Sequence, residues 1–327
     1  MKIIRENGSH RTPTGKGASA GAKGFTLAEL LVAMTITIVL VSLTIVITGS
    51  AIDAWKGART EIRAAGQAKT MLSALGRDLE SIIIRQGNND SQWLLATSEN
   101  EGIGPEAESS PNAARLIFYT AASDRYDGNA GSRERVGGNV GDRDADRGGD
   151  VSVVSYQLDF ADPVWGDQSE NFSTFVLYRK LLNPDETYNG VSSTDDLEQT
   201  FDIRGGGNDL ADLMCENVYE FTVTFIINYR DRSGENATVS IPVMSSGGGG
   251  NVMNKFAING SGLAPNLNTR SEFSAGRVAA VELAITVLSD EGVAILKKSP
   301  FQNRVDKAKF LEENAYRYTR SVSISQG

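Results

Sequence analysis

Histidine is almost missing from this chain: of its 327 residues only His10 is one, and Cys215 is the single cysteine. Without a histidine further along, a Ser-His-Asp or Cys-His mechanism has no general base, and the usual zinc ligand set cannot form. A lone cysteine excludes an intramolecular disulfide, so a domain outside the cytoplasm must rely on its apolar core. Cys215 itself reads as a small buried hydrophobe. A basic excess is missing too. The formal net charge is −9, which repels phosphate and argues against nucleic acid as a partner. Proline, the strongest helix breaker, does not occur between Pro13 and Pro105.

Charge is nearly absent from one stretch. The 24 residues Phe25 to Thr48 hold Glu29 as their only charge. As a helix they extend roughly 36 Å, enough to cross a ~30 Å hydrocarbon core with some tilt. Thr35, Thr37, Ser42, Thr44 and Thr48 dilute the run, but hydroxyls can bond back to helix carbonyls. An ionised carboxylate at membrane depth costs at least ~2.5 kcal/mol and is usually paired and functional. A type I secretory signal cut at Gly49-Ser50-Ala51 fits less well, because the run is too long and Glu29 interrupts its start. A plain single-pass anchor has no use for the acid. A lipoprotein is excluded, because no cysteine stands directly after the apolar region.

A polar, basic leader ending in Lys23-Gly24, then Phe25, then Glu29 four residues on, resembles the class III signal of type IV pilins and pseudopilins. The resemblance implies a cut after Gly24 by prepilin peptidase, N-methylation of Phe25, and retention of the apolar helix. It makes Glu29 the acid that pairs with an N-terminal amine, in its own chain or in a neighbouring subunit. The partners it implies are the peptidase, other pilin or pseudopilin subunits and an inner-membrane assembly platform; it implies no cofactor. Removing a leader of net charge +4 from −9 leaves −13 on the remainder. Five Lys/Arg in the leader, against Lys56, Arg59 and Arg63 beyond the span, favour a cytoplasmic N-terminus and a periplasmic head.

The helical pattern continues past the span. Ile52, Trp55, Ile62, Leu72, Leu75, Leu79, Ile82 and Ile83, with Ala58, Ala65 and Ala68 between them, follow a 3–4 spacing. The reading is one helix from about Phe25 to Arg85, its stripe packed on the protein's own sheet and ended by Gly87-Asn88-Asn89-Asp90. Beyond it the period changes to two. Strands are expected at 115–119, 151–160, 172–182, 218–229, 237–243, 277–288 and 316–324, and a short helix at 307–315. Phe221, Val223, Phe225 and Ile227 should share an inward face, as should Val281, Leu283, Ile285 and Val287. Long loops are expected at about 124–150 and 245–275. One long helix followed by antiparallel strands, with no helices between them, argues for α+β.

Further resemblances are looser. Trp55, Leu75-Gly-Arg-Asp-Leu79 and the strand pair around Tyr156 and Tyr178 look like a J-type minor pseudopilin of type II secretion. Asn217-Val-Tyr-Glu-Phe221, Ala280-Val-Glu-Leu-Ala284 and the run Tyr316 to Ile324 are similar to the Verru_Chthon cassette protein C family, which is prepilin-like. The resemblance implies a pilin-like fold with four parts: a cleaved leader (1–24), a transmembrane helix (25–48), its periplasmic extension (49–86) and a β-rich head (87–327).

Other candidate sites are weaker. Asp142, Asp144 and Asp146 have calcium-loop spacing, but Arg147 and Val153 stand where an EF-hand needs glycine and glutamate. Asp185-Glu186 and Asp195-Asp196 are acidic pairs in turns. Gly205 to Gly207 and Gly247 to Gly250 lack the Lys-Ser/Thr that follows a phosphate cradle. The expected function is structural, not enzymatic: a subunit, minor or at the tip, of a type II secretion pseudopilus or a type IV pilus-like fibre. The alternative is an anchored binding or adhesion module that never polymerises.

Overall fold

The structure is a computed structural model, and it describes residues 24–87, 90–98, 104, 110, 112, 114–121, 150–163, 173–192, 194–205, 210–245, 252–263, 276–298 and 304–324. It is α+β: a long N-terminal apolar helix and antiparallel sheets. Helix α1 spans Leu27–Glu80. Residues up to Lys56 form one unit and residues from Gly57 a second.

The first unit holds the front of α1. Its apolar side chains from Leu30 to Ile47 are all more than half exposed. Thr35, Thr37, Ser42 and Thr44 each donate a 2.8 Å hydrogen bond to a carbonyl one turn back, so the hydroxyls are satisfied inside the helix as the apolar run requires.

Among the described residues, the second unit carries eleven strands in two antiparallel sheets. They are β1 (Gln92–Ser98), β2 (Ala114–Thr120), β3 (Ser152–Ala161), β4 (Thr174–Leu182), β5 (Leu213–Glu216), β6 (Val218–Arg230), β7 (Asn236–Val243), β8 (Lys255–Asn259), β9 (Gly262–Leu263), β10 (Arg277–Leu288) and β11 (Ala315–Ser323). The larger sheet has the order β5-β4-β3-β2-β1-β8-β9, the smaller β11-β10-β6-β7. It also carries helices α2 (Leu197–Gly205), α3 (Asp290–Lys298) and α4 (Arg304–Asn314), with short helical turns at Pro184–Glu186, Thr187–Val191 and Leu210–Asp212.

One core joins both sheets to the later turns of α1. Ala64, Ala68, Met71, Leu72, Leu75 and Leu79 pack with Phe118, Tyr156 and Phe175 of the larger sheet and Phe221, Val223 and Phe225 of the smaller. Phe225 stacks on Phe256 at 3.9 Å between ring centroids, and Phe175 meets Tyr219 edge-on at 5.3 Å, so aromatic pairs tie the sheets together. The inward rows expected on β6 and β10 are buried as read. A second cluster lies on the other face of the larger sheet, where Leu95, Ile117, Tyr119 and Val153 pack under Leu197 and Phe201 of α2. A strand covered on both faces loses its alternation, and all seven residues of β2 are buried.

Several expectations are corrected. The helix stops at Glu80, not Arg85, and before the glycine expected to end it. There the chain turns extended and joins the end of β2: Ile83 N–H donates to the Tyr119 carbonyl (2.8 Å), and Ala121 N–H to that of Ser81 (2.9 Å). Nor is the whole stripe packed, since Ile52, Trp55 and Ile62 are exposed and burial starts at Ala64. Residues 255–263, read as loop, are the β8–β9 hairpin that pairs with β1. Helices do interrupt the strands. Asp196 caps α2 by accepting from Gln199 N–H at 3.1 Å, and Ser289 caps α3 by accepting from Gly292 N–H at 2.9 Å.

Candidate functional site at the start of the apolar helix

Gly24 and Phe25 precede the helix outside regular secondary structure, and Phe25 is 88 % exposed. Thr26 is the N-cap, and Glu29 stands three residues in, at the third helical position. The Glu29 carboxylate Oε2 accepts from Thr26 N–H at 2.9 Å and from Thr26 Oγ1 at 3.0 Å, while Glu29 N–H donates to Thr26 Oγ1 at 3.3 Å. This is a reciprocal capping box, which satisfies helix-end donors and puts negative charge at the positive end of the helix dipole. Thr26 was not singled out from the sequence, although Thr-x-x-Glu before an apolar run is the signature of such a box. The carboxylate therefore lies one residue from the Phe25 nitrogen, where a cut after Gly24 would create an amine.

The residues of the Leu75 to Leu79 segment and of the strand pair around Tyr156 come together in the head. Tyr156 Oη donates to Asp78 Oδ2 at 2.7 Å, and Arg179 Nε lies 2.9 Å from the same oxygen. Asp78 is buried on α1, and this ion pair fastens the helix to β3 and β4. Burial, and then the charge of Asp78, push the Tyr156 phenol well above its ordinary range. A second pairing sits on the other face of the larger sheet. Arg115 of β2 donates to both carboxylate oxygens of Asp202 and holds α2 there, with Glu198 at 3.7 Å. These are structural ties between elements of the head.

The remaining candidates separate. Asp142, Asp144, Asp146 and Gly247 to Gly250 lie outside the described residues. Glu186 accepts from Asn183 N–H at 3.3 Å and Asp196 caps α2, so these two acids act in local backbone bonding. Gly205 ends α2. Cys215 is buried on β5, and burial pushes its thiol up to about 12. Among the described residues no group of three or more His, Cys, Asp or Glu is placed to hold a metal.

No family model matches this chain, and no curated protein matches it. The class rests on architecture alone: a long N-terminal apolar helix packed through its later turns on an antiparallel sheet, as in pilin-like folds. The front of that helix is long and apolar enough to cross a membrane, which is compatible with single-pass anchoring.

Proposed function

We propose that this chain is a prepilin-like subunit: it is cut after Gly24, methylated at Phe25, and assembled through α1 into a type II secretion pseudopilus or a type IV pilus-like fibre, in a minor or tip position. The observation that carries the reading is Glu29. It is the one charge in the apolar run Phe25 to Thr48, and it sits one turn from the proposed cut. A carboxylate in that position gains most from an amine that appears only after processing. The leader would lie in the cytoplasm and the head in the periplasm, and the partners would be prepilin peptidase, sister subunits and the assembly platform.

The capping box favours a second reading, since Thr26 already satisfies Glu29 within its own chain. In that case the protein is an anchored periplasmic binding or adhesion module. Glu29→Ala separates the two. Under the assembly reading it leaves insertion and cleavage intact but removes the protein from sheared fibres and from cross-links with partner subunits; Glu29→Asp is milder. Cross-linking of Glu29→Ala at the wild-type level would leave the anchored module as the better account.

A further inference from the structure

The smaller sheet has a polar outer face, and at one end that face opens into a cleft of about 710 Å³. This is within the ~300–1,000 Å³ of small-molecule sites. Arg230, Arg277, Asn228, Asn236 and Thr238 line it, and Val278, Ala279 and Ile324 supply an apolar side. The strand register places these groups together. Asn228 of β6 faces Arg277 of β10 on one side and Thr238 of β7 on the other, and Arg230 faces Asn236. Arg230 and Arg277 are therefore diagonal neighbours, ~7 Å apart at the backbone, close enough for two long side chains to converge on one group.

Their charges are uncompensated. Among the described residues neither arginine side chain has an ion pair or a hydrogen bond, in a chain whose net charge is −9. The acid next in sequence, Asp231, is turned into its own hairpin, where Oδ1 accepts from Ser233 N–H, Ser233 Oγ and Glu235 N–H. Thr238 Oγ1 donates to Asn228 Oδ1 at 2.9 Å, which leaves the Asn228 amide nitrogen as a further donor. Guanidinium forks match oxyanions in geometry as well as charge. The amides and the hydroxyl beside them suit a body rich in hydroxyls, and the apolar side suits a carbon ring.

We propose that this cleft binds an anionic sugar, through the two arginines at its carboxylate or phosphate and through Asn228, Asn236 and Thr238 at its hydroxyls. The site belongs to the head alone and does not depend on whether the chain assembles. The test is isothermal titration of the detergent-solubilised full chain with D-glucuronate, glucose 6-phosphate, glucose and inorganic phosphate. Arg230→Gln and Arg277→Gln are exposed changes whose folding is checked by melting temperature.

At least one charged sugar should bind, and whichever does identifies the anion as carboxylate or phosphate. Glucose and inorganic phosphate should bind roughly tenfold more weakly or not at all, and each variant should lose about tenfold, the effect of one charge-assisted hydrogen bond. Three results would overturn the proposal: no charged sugar binding at up to ~10 mM, variants that bind like the wild type, or inorganic phosphate binding as tightly as the charged sugars.

Discussion

Removing the Asp78 carboxylate tests how α1 is held to the head. Asp78→Ala leaves the Arg179 guanidinium without its counter-ion and the Tyr156 hydroxyl without its acceptor. Breaking a buried pair from one side costs ~3–5 kcal/mol. The Arg179 side chain is 22 % exposed against 8 % for Asp78, so water can reach the orphaned cation and the lower end of that range applies. At about 2–4 °C per kcal/mol for a domain of this size, a loss of ~3 kcal/mol lowers the melting temperature by roughly 6–12 °C. Thermal melts of the full chain in detergent, followed by near-ultraviolet circular dichroism, read this directly. The triple change Asp78→Leu, Tyr156→Phe and Arg179→Met removes every polar partner at once and should recover most of the loss, because an apolar replacement of a buried pair is often neutral. A fall of less than ~2 °C for Asp78→Ala would refute the claim that this network bears on stability.

Two more outcomes follow from the packing. A Cβ at Gly66 meets nothing within 4 Å, so Gly66→Ala should raise the melting temperature by about 2–4 °C through helix propensity alone. At Gly76 a Cβ would come within 3 Å of the Arg320 guanidinium, so Gly76→Ala must displace that group from Glu80 and should gain less; equal gains at the two sites would contradict the described contact. Stability should also fall at alkaline pH. Burial holds the protons of Tyr119 and Cys215 up to about 12 in the folded chain, and raises Tyr156 and Tyr178 as well. The unfolded chain releases these protons from about pH 9 to 10, so stability declines from there by up to ~1.4 kcal/mol per group per pH unit. A melting temperature that stays flat from pH ~8 to ~11 would show that these groups are not buried as described.

Much of this fold is legible in the sequence where one face meets the core and the other meets water. The alternation of β6 and β10 places Phe221, Val223, Phe225 and Ile227, and Val281, Leu283, Ile285 and Val287, inward, and the structure buries all of them. Legibility fails where both faces are covered. β1 (Gln-Trp-Leu-Leu-Ala-Thr-Ser) sends Leu94 to one cluster and Leu95 to the other, so it shows no period of two. The helical caps were readable and were missed: Asp196 with Gln199, Ser289 before Asp290-Glu291, and Thr26 with Glu29 all carry the spacing of a helix start. The end of α1 was not readable, because Ser81 to Ile84 leave the helix to pair with β2, a long-range contact that local propensity does not encode. At the candidate site, Glu29 stands out as the only charge in its apolar run, and Gly24 and Phe25 are marked by the resemblance to a class III signal, whereas the convergence of Arg230 and Arg277 depends on the register between β6 and β10.

Processing at Gly24 is read out by intact-mass and N-terminal peptide mass spectrometry of the protein from cells that hold prepilin peptidase. The predicted result is a chain that begins at N-methylated Phe25 and that reverts to the uncut form when Gly24 is replaced by a bulky residue. A mature terminus at Ile52, or an intact Met1 leader in those cells, would contradict it.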